Sequence, residues 1–279
     1  VTMRKIGLII FILFLLSEIT AQKKPVFLSE KKHREIKAKA TELYRDLDRV
    51  IPGENSNPPS DAIVLFDGSS LDKWQKPFFK YSGSMAEYHE WLPSLNEGPY
   101  ATAPADWKIE NGALVVVPEK GHLVTKELFG DVQLHIEWLA PKDINKTGQD
   151  YGNSGIFFMG LYEIQILNSY DDETYNNGQA GAIYKQHFPL VNAAKTPGNW
   201  QRYDIIFSAP KFSENGNLLN PARITAFHNG VLIQNNVSLL GPTCWIGQSY
   251  YIKHPKELPI LLQDHGSPVR FRNIWARKL

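Results

Sequence analysis

The stretch Val132-Gln-Leu-His-Ile-Glu-Trp138 alternates strictly between apolar and polar side chains. Successive side chains of a strand point to opposite faces, so the apolar residues at every second position share one face. This pattern is typical of a strand that turns one face toward a hydrophobic core. The sequence therefore predicts a half-buried β strand here.

Similar short strands are predicted along the chain after Asp61, separated by turns rich in Gly, Asn, Asp and Pro. They cover residues 63–66, 112–117, 156–159, 162–167, 202–208, 222–228, 260–263 and 269–277. Many short strands without intervening helices predict an all-β antiparallel sandwich or jelly roll.

Long connections interrupt these strands at 75–105, 141–154, 168–199 and 241–257. Segments of this length are too long for simple hairpins, and loops of this kind often carry function. We therefore expect the functional site to lie among them.

The first residues have the features of a secretory signal peptide. A basic start, Met3-Arg4-Lys5, precedes an apolar run from Ile6 to Leu16, and a small residue stands at Ala21. The run is too short to span a bilayer, and no cysteine near Ala21 offers a lipid anchor. We expect a signal peptide over 1–21 and a secreted or periplasmic protein without a stable membrane anchor.

Residues 22–60 predict a helix followed by a Pro-rich linker. The helix is expected from Ser29, as N-cap, to Val50, because apolar residues recur at spacings of three and four. The segment Pro52–Ser60 then breaks the pattern. The main domain is expected over 61–279, with the helix as a packing extension.

Composition excludes several classes of protein. The 279 residues include 30 Lys+Arg and 29 Asp+Glu, a net charge of +1, which lacks the basic footprint of a nucleic-acid binder. The single cysteine, Cys244, excludes an internal disulfide framework and a Cys-based zinc site. The sequence gives no signal for the oligomeric state.

The densest group of polar residues lies around the predicted strand 162–167. Glu163 and Gln165 share one face of it, and Asn153 enters from the preceding turn. The spacing Glu163-x-Gln165-x-x-Asn168 resembles the Glu-x-Asp-x-x-Glu strand of retaining sandwich glycosidases. Amides replace two of those carboxylates, which disfavours a two-carboxylate mechanism. A solvated outer face is the alternative interpretation.

A second group is Gln263-Asp264-His265, at a predicted strand end before Gly266. It places an imidazole beside a carboxylate where a loop leaves the sheet, and Arg270 lies on the next strand. Alternatively, Asp264 caps a turn and His265 is a surface residue.

A third group is the Gly-rich run from Gly178 to Tyr184. It lacks the Lys-Ser/Thr of a phosphate loop, so we interpret it as a loop that brings Tyr184 close to a ligand. Trp200 offers a flat surface for a sugar ring, and His122 is a further candidate ligand.

Several blocks together resemble the exported 3-keto-disaccharide hydrolase domain family, formerly a domain of unknown function, which includes 3-keto-glucoside 1,2-lyases and 3-keto-2-hydroxy-glucal hydratases. The resemblance spans residues 61–279 and implies a concanavalin A-like jelly roll with a concave face. The blocks are Leu65-Phe-Asp-Gly-Ser-Ser-Leu-Asp-Lys-Trp74, Asn153-Ser-Gly-Ile, Tyr162-Glu-Ile-Gln-Ile-Leu, Gly178-Gln-Ala-Gly-Ala-Ile-Tyr184, Trp200, Arg223-Ile-Thr-Ala-Phe-His-Asn-Gly230 and Leu262-Gln-Asp-His-Gly with Val269-Arg-Phe-Arg-Asn-Ile.

The resemblance also implies a chemistry. Oxidation of a sugar at C3 acidifies the proton on C2, so a base removes it, an enolate forms and the C1 substituent leaves by β-elimination; water then adds to the product. The implied base is His265, oriented by Asp264, or else Glu163. Enolate stabilisation falls to a divalent cation, with Glu163 and His265 as candidate ligands, or to Arg270. The implied substrate contacts are Gln165, Tyr184 and Gln263, with Asn153, Trp200 and His122 as further candidates.

Two other functions remain open from the sequence. One is a non-catalytic, lectin-like carbohydrate-binding module on the same fold, and the other is an ordinary glycoside hydrolase that pairs Glu163 with Asp264 or Asp171. The fold alone does not separate them from the lyase or hydratase.

Overall fold

The computed structural model describes residues 29–78, 83–96, 98, 100–142 and 145–279. The signal peptide predicted over 1–21 lies outside the described residues. The chain divides into two compact units, Val1–Arg49 and Val50–Leu279. Within the described ranges, no helix combines the length and apolarity needed to cross a bilayer.

The first unit contains helix α1, Glu30–Lys39, which starts where the sequence predicts it. The Ser29 hydroxyl accepts the N–H of Lys32 at 3.3 Å, which caps the first turn. The predicted extension to Val50 is wrong. None of the helical residues is buried, and Leu43 is 95% exposed, so packing does not offset the entropy of a longer helix.

The second unit contains a short helix and sixteen strands among the described residues. Helix α2 is Met85–Trp91, and 3₁₀ turns cover Leu92–Asn96, Gly148–Asp150 and Asn176–Gly178. The strands are β1 Ile63–Phe66, β2 Trp74–Pro77, β3 Ala101–Pro104, β4 Lys108–Glu110, β5 Ala113–Val115, β6 Leu123–Phe129, β7 Val132–Leu139, β8 Ser154–Phe158, β9 Tyr162–Ile166, β10 Gln201–Ser208, β11 Lys211–Phe212, β12 Leu218–Asn220, β13 Arg223–His228, β14 Val231–Ser238, β15 Leu258–Leu262 and β16 Arg270–Lys278.

Most strands form two antiparallel sheets. The eight-stranded sheet has the order β14-β13-β10-β7-β16-β5-β4, with β1 paired to β16, and the six-stranded sheet has the order β3-β2-β6-β15-β8-β9. Strands β11 and β12 form a separate hairpin. The predicted all-β jelly-roll sandwich with an N-terminal helix is therefore confirmed.

The core lies between the two sheets. The apolar residues of the alternating stretch in β7, Val132, Leu134, Ile136 and Trp138, are at most 1% exposed. Phe158 of β8 stacks on Phe207 of β10 with ring centroids 4.7 Å apart. The Tyr203 hydroxyl of β10 donates to the carbonyl of Gln165 in β9 at 2.9 Å. Strand β9, which carries Glu163, is thereby fixed to the opposite sheet.

Residues 50–60 pack on the eight-stranded sheet. The Ser56 carbonyl accepts hydrogen bonds from Asn273 Nδ2 at 3.0 Å and Trp275 Nε1 at 3.1 Å. His135, a polar residue of the alternating stretch, is only 1% exposed, and its Nδ1 lies 2.6 Å from Asp204 Oδ1. The segment expected as a linker thus belongs to the sandwich unit.

Candidate active site

A cavity of about 370 Å³ opens beside β9. Six residues singled out from the sequence line it together: Asn153, Glu163, Gln165, Tyr184, Gln263 and His265. Gln149, Tyr175 and Trp245 complete the lining. Glu163, Gln165, Asn153 and Gln263 are at most 4% exposed and form its floor, whereas His265 is exposed at its rim.

Glu163 is the carboxyl of this floor. Its backbone N–H donates to Thr243 Oγ1 at 2.9 Å, and its side chain lies against Gly155 of the neighbouring strand β8. A Cβ at Gly155 would overlap the carboxyl, so a larger residue there would displace the Glu163 side chain. Burial raises the pKa of Glu163 well above its usual range. Burial therefore favours the neutral, protonated form of this side chain.

Hydrogen bonds hold the neighbouring amides. In the orientation that satisfies both ends of its amide, Gln165 donates to Glu163 Oε1 at 2.9 Å and to the Ser154 carbonyl at 3.2 Å. Asn153 Nδ2 donates to the Gln149 carbonyl at 2.7 Å. The floor is consequently a fixed set of donors and acceptors.

Gln263 presents an unused acceptor to the cavity. Its backbone N–H donates to the Gly155 carbonyl at 3.0 Å, and its carbonyl accepts the Ser154 hydroxyl at 2.7 Å. Its buried Oε1 has no hydrogen-bond partner among the described residues. A buried acceptor without a partner is costly, so its position favours a ligand that donates a hydrogen bond.

The Gly-rich segment 178–184 pairs with the free edge of β9. Gln165 donates its N–H to the Ala182 carbonyl and accepts the N–H of Gly181, both at 2.9 Å. This pairing brings Tyr184 to the cavity, where its hydroxyl lies 2.7 Å from that of Tyr175. Burial raises the pKa of both phenols, so both stay protonated near neutral pH.

Asp264 and His122 lie beside the cavity but do not line it. The Asp264 carboxylate accepts the N–H groups of Gly121 and Gly266, each at 3.0 Å, and its own N–H donates to His122 Nδ1 at 3.0 Å. Asp264 therefore caps a turn, which is the alternative interpretation, and does not orient His265 through a described hydrogen bond. Burial lowers the pKa of His122 to about 4, so its imidazole is neutral.

Arg270 and Trp200 lie elsewhere. Arg270 belongs to β16 of the eight-stranded sheet and pairs with Glu110 at 3.2 Å. Trp200 lines a separate cavity of about 240 Å³, where the Arg272 guanidinium lies 4.0 Å from its ring centroid. The structure does not bring either residue to Glu163, because they stand on the other sheet or next to it.

The sequence did not single out Gln149, Tyr175 or Trp245. They lie in the long connections 141–154, 168–199 and 241–257, respectively. Loop length was the available signal, and it pointed to the right segments without naming the residues.

A divalent cation does not fit the side chains at this site well. Across the described residues, no three His, Cys, Asp or Glu side chains are placed to hold a metal ion. Glu163 and His265 line the same cavity, but the neighbouring ligands would be neutral amides.

Amides, tyrosines and a carboxyl line the cavity of this jelly-roll sandwich, and these groups fit the hydroxyls of a sugar, as in a carbohydrate-active protein. Residues 61–277 match the model of the 3-keto-alpha-glucoside-1,2-lyase-like domain. The chain belongs to this family, and the suspected resemblance is confirmed.

Two solved structures are similar to this chain. A protein from Parabacteroides distasonis ATCC 8503, named provisionally as a glycosyl hydrolase, is 40% identical, with a TM-score of 0.73 over 86% of this chain and 96% of its own. A second protein of that name and organism is 16% identical, with a TM-score of 0.53 over 83% of this chain and 100% of its own, and shows the fold alone. No curated protein matches the chain significantly.

Proposed function

We propose that the chain is an exported enzyme that cleaves 3-keto-glycosides by C2 proton abstraction and β-elimination, with hydration of the product giving net hydrolysis. Membership of the family supports the substrate class. The predicted signal peptide supports export.

The reaction requires a base at C2 and a donor at the C3 oxygen. The base removes the C2 proton, and the electron pair moves onto the C3 oxygen to form an enolate. The enolate reforms the ketone as the C1–C2 double bond forms and the C1–O bond breaks, and the leaving oxygen takes a proton. Addition of water across C1–C2 then gives the free 3-keto sugar.

The observation that carries the proposal is the Glu163 carboxyl, which is 2% exposed and lines the cavity. Burial raises its pKa and so favours the protonated form. A protonated carboxyl in a buried site can donate a hydrogen bond to a developing oxyanion. With Arg270 paired to Glu110 on the other sheet, we assign this role to Glu163. His265, at the rim of the same cavity, is then the base.

Turnover of a 3-keto-glucoside and of its unoxidised parent tests the proposal. The wild-type protein should release product from the keto form alone, because only that form has an acidic C2 proton. His265→Ala should lower kcat by about 100-fold or more. Glu163→Gln should lose less than Glu163→Ala, since the glutamine amide can still donate a hydrogen bond.

Three outcomes would contradict this assignment. Full turnover by both Glu163→Gln and His265→Ala would exclude this cavity as the catalytic site. An inactive Glu163→Gln beside an active His265→Ala would make Glu163 the base. Loss of turnover with a chelator, restored by a divalent cation, would assign the enolate to a metal.

A non-catalytic carbohydrate-binding module is the second candidate. Gln263 Oε1 has no hydrogen-bond partner in the part of the chain that the structure describes. This acceptor and the fixed amides would serve sugar binding equally well without a reaction. Binding of unmodified glucosides together with no turnover of their 3-keto forms would favour this function.

A further inference from the structure

Trp245 differs from the floor of the cavity in its exposure. It lines the cavity, yet it is 53% exposed, as is its neighbour Ile246. The floor residues Glu163 and Gln165 are at most 2% exposed. The cavity therefore combines a buried polar floor with an apolar part of its rim.

The backbone around Trp245 is held in place. The N–H groups of Trp245 and Ile246 both donate to the Gly83 carbonyl, at 3.1 and 3.0 Å. The Trp245 carbonyl accepts the Lys185 ammonium at 2.9 Å. The indole lies against Gly83, where any Cβ would overlap it. An exposed aromatic fixed in this way is preorganised for a ligand.

Lys185 connects Trp245 to the tyrosine pair. Its ammonium lies 5.7 Å from the ring centroid of Tyr175 and 6.0 Å from that of Tyr184. Its backbone has φ of +58°, an uncommon conformation for a residue with a side chain. The Lys185 ammonium thus binds the backbone of Trp245 and lies within cation–π distance of both phenol rings.

We propose that Trp245 and Tyr175 form a binding site for the leaving group of the glycoside, and that this group is aromatic. The proposal rests on the proposed function. The amides of the floor match the hydroxyls of a sugar ring, so the leaving group extends toward the rim. There it meets an indole and a phenol ring, which favour a flat apolar group. The substrate class is therefore aryl 3-keto-glycosides.

Calorimetric binding of unoxidised phenyl and methyl glucosides, each in both anomers, tests this site without requiring turnover. Wild-type protein should bind the preferred phenyl glucoside about 5- to 10-fold more tightly than the methyl glucoside. Trp245→Ala should remove this preference while keeping its affinity for the methyl glucoside, and Trp245→Phe should keep part of it. Tyr250→Ala, which removes a 50% exposed aromatic of the same connection outside the cavity lining, should leave the preference unchanged.

Three results would overturn the proposal: a wild-type protein without preference for the phenyl glucoside, a Trp245→Ala variant that keeps the preference, or an equal loss of affinity for a glucose disaccharide in that variant. Retained binding of the methyl glucoside by Trp245→Ala shows that the variant is folded. A wild-type protein that shows the preference but does not turn over 3-keto-glycosides would refute the proposed function alone.

Discussion

At pH values above about 4.5, the ordinary pKa of a glutamate, the buried Glu163 lowers the stability of the folded protein. The unfolded chain ionises this carboxyl near pH 4.5, whereas burial holds the folded form protonated to a higher pH. Folding must therefore take up a proton, and stability falls as pH rises from about 4.5 to the raised pKa. Glu163→Gln keeps the shape and removes the titration. We expect this variant to be more stable than wild type in urea unfolding at pH 7, and the difference should grow as pH rises from about 4.5 toward the raised pKa.

Glu137 provides the matched control, because its pKa is shifted in the opposite direction to that of Glu163. Burial acts to raise its pKa, but hydrogen bonds from Asn273 and Arg272 outweigh burial and lower it. Glu137→Gln should therefore lose stability at pH 7. A Glu163→Gln variant that is equally stable or less stable than wild type across this range would contradict the neutral state of Glu163.

At the scale of elements, β9 is held at its start by the connection 241–257. Thr243 is fully buried; its hydroxyl accepts the Glu163 N–H at 2.9 Å, and its carbonyl accepts the Tyr88 hydroxyl at 2.9 Å. Thr243→Val keeps the volume but leaves the Glu163 N–H without a partner, which costs about 1–3 kcal/mol. We expect this loss in urea unfolding, together with a lower kcat on a 3-keto-glucoside.

Thr243→Ser is the control for that variant, because it retains the hydroxyl. It should recover most of the stability and turnover. Equal losses in the serine and valine variants would show that the methyl group, and not the hydrogen bond, positions this strand.

The strands that alternation predicts are those with one clean buried face, such as β7 and β10. Strand β6 was missed because Thr125 is buried while Lys126 and Glu127 are exposed side by side, which breaks the period of two. Strand β14 was missed because register shifts interrupt its pairing with β13. Irregular pairing depends on neighbouring strands, which a single sequence does not show.

Among the site residues, too, those on regular strands could be predicted and those in loops could not. Strand periodicity placed Glu163 and Gln165 on one face, and the strand end placed Gln263 nearby, so these residues could be predicted. Loop residues such as Trp245 follow no hydrophobic periodicity, so the sequence does not show which way their side chains point. The family resemblance implies Arg270 as one candidate for enolate stabilisation, but Arg270 lies in β16, which belongs to the other sheet.

At the scale of the whole molecule, buried histidines determine how the free energy of unfolding falls at acid pH. Burial lowers the pKa of His122 to about 4, that of His228 to about 3 and that of His254 to about 4. The unfolded chain protonates these rings near pH 6.5, whereas the folded chain keeps them neutral. Their contribution is complete above about pH 6.5 and is lost as pH falls toward 4.

These opposing titrations predict a stability maximum at about pH 6.5 to 7. Below this pH, protonation of the three histidines in the unfolded chain lowers stability as pH falls. Glu163 acts in the opposite direction, but it is one group against three. Above it, the histidines no longer titrate, and the proton that Glu163 must take up lowers stability. Urea unfolding at pH 5, 6.5 and 8 should give the highest midpoint at pH 6.5. In Glu163→Gln the decline from pH 6.5 to 8 should become shallower, while the loss at pH 5 persists. A midpoint at pH 5 equal to that at pH 6.5 would show that these imidazoles accept protons in the folded state.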